Sequence, residues 1–233
     1  MKKDCLVCTG CHKEYPLDKI FPRCDNCQEP LEVKISLSQR FNKNRKISSE
    51  SILEHYAAFY PFPWIDNQLS LQEGFTPLVK ADKLARLLEI DNLYLKNETV
   101  NPTWSFKDRG TYVGVQHALS SGCNYIGTLS SGNMAASVAA YGARAGLKTI
   151  ILVSANMPLE KLNPILIYQP ILIRVQGDYG QMYYESLKIG QEQGIYFLNS
   201  DVPFRVEGSK SIAFEICEQL DYSVPDYVLI PTS

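Results

Sequence analysis

The chain has 233 residues, 45% of them hydrophobic and 21% charged, with a formal net charge of −2. That length and composition suit one or two globular domains, and so small a charge gives no footing for nucleic acid or an anionic membrane as partner. No apolar run approaches the ~18 residues of a membrane span, and Met1-Lys2-Lys3-Asp4 leads into cysteines rather than a secretory apolar stretch, so a cytoplasmic location is expected.

Five of the seven cysteines, Cys5, Cys8, Cys11, Cys24 and Cys27, crowd into the start of the chain. Such clustering does not suit a disulfide framework in a chain without a signal peptide. Cys8-x-x-Cys11 and Cys24-x-x-Cys27 are two knuckles separated by twelve residues. A hairpin between them would bring four thiolates to one tetrahedral ion. Residues 1–35 hold little apolar material, so a metal would supply folding energy that their core cannot. The expectation is a structural zinc ribbon on Cys8, Cys11, Cys24 and Cys27. Cys5 could replace Cys11 through the overlapping Cys5-x-x-Cys8, and His12 is a weaker substitute.

Residues 36 to about 95 are mixed, with an aromatic run from Tyr56 to Trp64. Beyond them, short apolar segments alternate with longer amphipathic ones. Strands are expected at Leu93–Leu95, Tyr125–Thr128, Thr149–Val153, Ile171–Val175, Tyr196–Leu198 and Tyr227–Ile230. Helices are expected at Asp108–Ser120, Asn133–Ala145, Leu159–Tyr168, Tyr179–Gln193 and Ser209–Leu220. This alternation implies an α/β fold whose parallel sheet is covered by helices on both faces.

Two segments carry candidate chemistry. In Asn101-Pro102-Thr103-Trp104-Ser105-Phe106-Lys107-Asp108-Arg109-Gly110, Lys107 stands where a strand gives way to a helix. The positive end of the helix disfavours an ammonium, which favours an amine reactive toward an aldehyde cofactor. Taken alone, Lys107 would more often be a solvated surface lysine. In Ser130-Ser131-Gly132-Asn133-Met134, small residues open a helix whose N–H groups could bind an anion. A plain Ser/Asn N-cap would read the same way.

The lysine segment resembles the cofactor-lysine signature of threonine synthases and their fold-type II, pyridoxal-phosphate-dependent relatives. Glu73-Gly74-Phe75-Thr76-Pro77-Leu78 is similar to that family's EGxTPL motif, and Ser130-Ser131-Gly132-Asn133 resembles its substrate-carboxylate loop. The stretch from Asn199 to Lys210 resembles the segment that contacts the substrate's phosphate, and the similarity runs from about Cys8 to Pro231.

The resemblance implies that Lys107 holds pyridoxal 5'-phosphate, with Ser105, Phe106 and Asn133 beside the cofactor. It places Ser130, Ser131, Gly132, Asn133, Met134, Asn199, Ser200 and Arg205 around a small phosphorylated amino acid, O-phosphohomoserine, which water converts to threonine and phosphate. A homodimer is one assembly open to such an enzyme. Relatives with the same lysine chemistry (cysteate synthases, threonine dehydratases, cysteine synthases) are the alternatives, as is a non-catalytic fragment.

The implied organisation is a zinc ribbon at 1–35, part of the large cofactor domain at 36–110, a small parallel α/β domain at 111–222, and a strand returning to the large domain at 223–233. Trp104 stands where the family usually has Gly, and Met134 where it usually has Thr. Trp104 would either make the site bulkier or fill a neighbouring core gap. The family's Gly-rich loop for the cofactor phosphate begins where this chain ends, after Pro231-Thr232-Ser233. The expectation is therefore an incomplete enzyme with weak cofactor binding and little or no turnover.

Overall fold

The computed structural model describes residues 4–36, 51–62 and 65–231; Trp64 of the aromatic run and Thr232-Ser233 lie outside them. The chain opens with an antiparallel three-stranded sheet of β1 (Cys5–Cys8), β2 (Glu14–Tyr15) and β3 (Leu31–Lys34), with β1 in the middle. Each knuckle ends one residue before a left-handed residue, His12 at φ 60° and Gln28 at φ 63°. In both turns the N–H of that residue donates back to the first cysteine's carbonyl, His12 to Cys8 at 3.1 Å and Gln28 to Cys24 at 3.0 Å. The two turns therefore share one geometry.

A short helix α1 (Ile52–His55) follows, then a hairpin of β4 (Leu78–Lys80) and β5 (Tyr94–Lys96) flanking α2 (Asp82–Leu87). The expected strand at Leu93–Leu95 thus exists, shifted by one residue, but pairs antiparallel with β4 and stays out of the parallel sheet.

The regular region comprises α3 (Lys107–Ser120), β6 (Tyr125–Leu129), α4 (Asn133–Arg144), β7 (Lys148–Ser154), α5 (Asn163–Leu166), β8 (Ile171–Val175), α6 (Tyr179–Gln193) and β9 (Ile195–Phe197). It closes with α7 (Pro203–Ser209) and α8 (Ser211–Gln219). The four parallel strands lie in the order β8-β7-β6-β9. Alternate side chains face opposite ways along a strand. Ile126, Ile151, Val153 and Tyr196 join the large core with α3 and α4, while Leu129, Leu152 and Phe197 join Met182 of α6. The covering by helices holds for the middle strands. At the edge, Ile171 and Ile173 of β8 are exposed. Among the described residues no helix is long and apolar enough to cross a membrane.

Three further expected elements differ. Leu159–Tyr168 breaks into a 3-10 turn (Leu159–Leu162) and the single turn α5, because Pro164 has no N–H to donate to a continuous helix. The helix expected at Ser209–Leu220 begins earlier and divides at Lys210. Pro203 occupies the first turn of α7, where a proline is tolerated and marks a start. Finally, Tyr227–Ile230 forms no strand; its four side chains are exposed and its backbone pairs with no strand among the described residues.

Candidate active site

The polar residues around Lys107 fix the turn that presents it. Asn101 accepts the Gly74 N–H at 3.0 Å and donates to the Glu98 carbonyl at 2.8 Å. The Asp108 carboxylate accepts from both the N–H (2.7 Å) and the hydroxyl (2.6 Å) of Thr103, closing the loop onto the first turn of α3. Burial pushes the Asp108 carboxyl up, while bonds from Ser137 and Thr103 pull against it. Ser105 is buried and its hydroxyl accepts the Lys107 N–H at 3.1 Å. Two residues beyond Lys107, Arg109 is fully buried and donates to Glu98, Glu215 and Thr76.

Lys107 itself is half-buried. Its Nζ lies 4.1 Å from the centroid of the Phe106 ring and, among the described residues, has no hydrogen-bond or ion-pair partner. Burial, then the nearby Arg205 cation, hold its pKa below the ordinary lysine value. Both effects favour the neutral amine.

The heads of α3 and α4 lie side by side. The Ser137 hydroxyl donates to Thr111 Oγ1 at 2.8 Å, and Thr111 Oγ1 donates to the Lys107 carbonyl at 2.9 Å. Ser137 and Thr111 each stand one turn into their helix, four residues after Asn133 and Lys107 respectively. The N-cap of α4 is Gly132, with no side-chain cap, which sets aside the plain Ser/Asn cap. Gly132 and Asn133 are exposed, and Ser130 and Ser131 partly so. Met134 turns inward and is buried in the large core.

Helix α7 crosses α3 at closest approach through glycines. A Cβ on Gly208 would meet the Arg109 carbonyl oxygen at 2.3 Å, and one on Gly110 would meet that of Arg205 at 2.6 Å. This crossing sets Arg205 beside the first turn of α3. Arg205 is only 4% exposed, its Nε has no partner, and no carboxylate pairs with it among the described residues. Burial pushes its pKa down to about 10 against the pull of Asp201. Asn199 is buried and committed to the fold: it accepts from the Leu129 N–H at 3.1 Å and donates to Ser186 at 3.1 Å. Ser200 is exposed.

Replacing Arg205 with glutamine removes a cation near Lys107, so the lysine pKa is expected to rise. The onset of Lys107 acylation, followed by peptide mapping across a pH series, should move to higher pH. An unchanged onset would mean that Arg205 does not act on the amine.

Trp104 sits at φ 62° and is 74% exposed, so it fills no core gap. The left-handed backbone gives a reason for glycine at this position. Trp104→Gly is expected to raise stability by about 0.5–1 kcal/mol, the relief of left-handed strain outweighing glycine's greater freedom when unfolded. A lower denaturation midpoint would show that the indole packs against something.

At the other end of the chain, the Sγ atoms of Cys8, Cys11, Cys24 and Cys27 all lie within 4.8 Å of one another. Cys8 and Cys27 are 3.4 Å apart, and Cys11 and Cys24 3.5 Å. Zinc–sulfur bonds of about 2.3 Å at tetrahedral angles need sulfurs about 3.8 Å apart, so the four fit one ion after small adjustments. Cys5 and His12 are outside the group. N–H groups of Gly10 and Cys11 point at the Cys8 sulfur, and the Tyr15 hydroxyl lies 3.1 Å from that of Cys24.

Missed in the sequence are Asp108 and Thr103, which clip the lysine turn, and Glu215, whose carboxylate accepts the Phe75 N–H at 2.8 Å. Only the spacing Thr103-x4-Asp108 hinted at the first pair.

Residues 69–233 match the family model described as pyridoxal-phosphate dependent enzyme. The chain is 40% identical over 232 residues to a threonine synthase of Methanocaldococcus jannaschii, covering 96% of this chain and 56% of that protein. It is 37% identical over 228 residues to one of Methanosarcina acetivorans, with 97% and 56% covered. The chain thus spans little more than half the length of these curated relatives. Among solved structures it resembles the processed threonine deaminase isoform 2 of Solanum lycopersicum (TM-score 0.56, 25% identity), over 62% of this chain and 40% of that one.

Proposed function

The chain belongs to the family of pyridoxal-phosphate dependent enzymes, and from that premise we propose that it carries the lysine and the substrate-phosphate side of a threonine synthase, acting on O-phosphohomoserine and water to give threonine and phosphate. The observation that carries this reading is the pairing of a half-buried amine, Lys107, with a buried guanidinium, Arg205, the first without a partner and the second without a carboxylate among the described residues.

The residues present fit the cofactor. Lys107 offers an amine biased toward its neutral form, and the uncapped head of α4 offers N–H groups and the Asn133 amide nearby. Lys107 would hold the cofactor's aldehyde carbon, with Asn133 toward a polar ring substituent, the Phe106 ring against the amine and Ser105 holding the Lys107 backbone. When bound, the cofactor would supply the electron sink. Lys107, once free as the neutral amine, would move protons at the substrate's α and β carbons. The Ser130–Asn133 loop would take the substrate carboxylate. Arg205 would take the phosphate, which two parallel guanidinium hydrogen bonds can grip. Met134, turned into the core, and Asn199, committed to β6, would support these groups from behind.

A buried arginine without a carboxylate suits a phosphorylated substrate better than the free amino acid of a dehydratase, since an unpaired buried charge is costly until an anion arrives. In the same reading Cys8, Cys11, Cys24 and Cys27 hold a structural zinc ion that closes the ribbon.

The test is binding of O-phosphohomoserine and of homoserine, followed as a ligand-dependent rise in unfolding temperature. The phosphorylated ligand alone should bind, and Arg205→Gln should weaken it by about tenfold or more, as befits a charge-assisted pair. Equal binding of both ligands, or of one ligand by both proteins, would overturn the reading.

A further inference from the structure

Among the described residues, Asp201, four residues earlier at the approach to α7, is an acidic neighbour within electrostatic reach of Arg205. A carboxylate and a guanidinium within reach of each other could pair directly. Here they do not. Asp201 Oδ2 instead accepts from Arg23 Nη2 at 2.5 Å and from the Tyr183 hydroxyl of α6, and Arg23 Nη2 also donates to Tyr183 at 2.8 Å. Arg23 precedes Cys24 in the ribbon, and its backbone is bridged to Pro30, so its place is set by the second knuckle. The remaining oxygen, Asp201 Oδ1, is buried without a partner, as is Arg205 Nε. A donor and an acceptor four residues apart are thus both left open, while a cation from the far end of the sequence holds the carboxylate.

We propose that Arg23 is a positioning residue for the anion site: by anchoring Asp201 it keeps that carboxylate off Arg205, so that the guanidinium stays free for the substrate's phosphate. The inference rests on the reading of Arg205 as the phosphate group's partner. Without Arg23, Asp201 would keep only Tyr183 among the described residues to hold it, with Arg205 within electrostatic reach. The carboxylate would then compete with the incoming phosphate for the same hydrogen-bond donors and repel it. The ribbon, on this account, keeps the anion site open from outside it.

The experiment is titration with inorganic phosphate of the full zinc-loaded chain, as wild type, Arg23→Gln, Asp201→Asn and the double variant, with zinc content measured to confirm that the knuckles hold their ion. Arg23→Gln is expected to weaken phosphate by about tenfold, the effect of one like charge brought against the ligand. The double variant should return to within about twofold of wild type, because the uncharged amide cannot compete, a coupling that simple additivity would not give. A merely structural role for Arg23 would predict loss in both. Wild-type affinity in Arg23→Gln, or no recovery in the double variant, overturns the proposal. If the wild type binds phosphate no better than Arg205→Gln, the reading of Arg205 fails and the proposal with it.

Discussion

Replacing Arg109 with methionine is expected to lower the unfolding free energy by about 3–5 kcal/mol near neutral pH, the usual cost of taking the cation from a buried pair, here from buried Glu215 and partly buried Glu98. The guanidinium donates to Glu98 at 2.7 and 2.8 Å and to Glu215 at 2.5 and 2.8 Å, with nothing of Arg109 exposed. Glu215 has other donors, Lys96 Nζ at 2.8 Å and the Phe75 N–H, so part of its charge stays compensated. Among the described residues Glu98 keeps only neutral donors, Thr76 and Asn101.

Burial alone would raise both carboxyls, but the bonds to Arg109 hold them below the usual range. In the wild type their contribution is therefore present above the unfolded glutamate pKa and is lost as pH falls through the depressed folded values. In the variant burial prevails, the carboxyls accept protons more readily, and the deficit should narrow between about pH 7 and pH 5. Urea unfolding at the two pH values measures this. A deficit under about 1 kcal/mol at neutral pH, within the range of a surface ion pair, would contradict the account.

Substituting alanine at Gly208 should cost about 3 kcal/mol, at the upper end for overpacking, because the new methyl meets main-chain atoms. Its neighbours would be the Arg109 oxygen at 2.3 Å and the Gly110 Cα at 2.6 Å, and neither can swing aside as a side chain can. At Gly114 the first obstacle is the end of the Leu198 side chain at 2.5 Å, so alanine there should cost distinctly less. The functional consequence is sharper than the loss of stability. Gly208 lets α7 lie against α3, and that contact sets Arg205 near Lys107. Forcing the helices apart should let the Lys107 pKa rise toward the ordinary lysine value even in molecules that remain folded. Denaturation midpoints for the two alanine variants, with the pH onset of Lys107 acylation, test both parts. Equal costs at Gly208 and Gly114 would show that the crossing is not as tight as described.

The features legible in the sequence are those set by local chemistry. Short, nearly continuous apolar runs marked the strands at Tyr125, Ile150 and Ile171, and the two middle strands, β6 and β7, need apolar side chains on both faces. The paired knuckles announced their four sulfurs, since two thiols at that spacing share one tight turn and a hairpin can bring two such turns together. Lys107 was legible at a strand-to-helix boundary, and it opens α3.

What stayed hidden depends on distant partners. Nothing local marks Leu93–Lys96 as half of a hairpin, because its partner β4 lies across an intervening helix. The apolar run Tyr227–Ile230 reads as a strand, but a strand exists only where a neighbour accepts its hydrogen bonds, and the described residues offer none. Met134 follows the anion loop in sequence, yet the helical turn directs it into the core. Arg205 was found by resemblance, while its isolation from Asp201 depends on Arg23, 178 residues away from that carboxylate in the chain.

The central claim is that Lys107 is the residue that takes the cofactor. Titrating the chain and its Lys107→Ala variant with pyridoxal 5'-phosphate, reducing with borohydride and mapping the labelled peptides tests it most directly. The account predicts saturable labelling of the wild type at Lys107 and its loss in the variant. Equal labelling of both proteins, spread over exposed lysines, would contradict it.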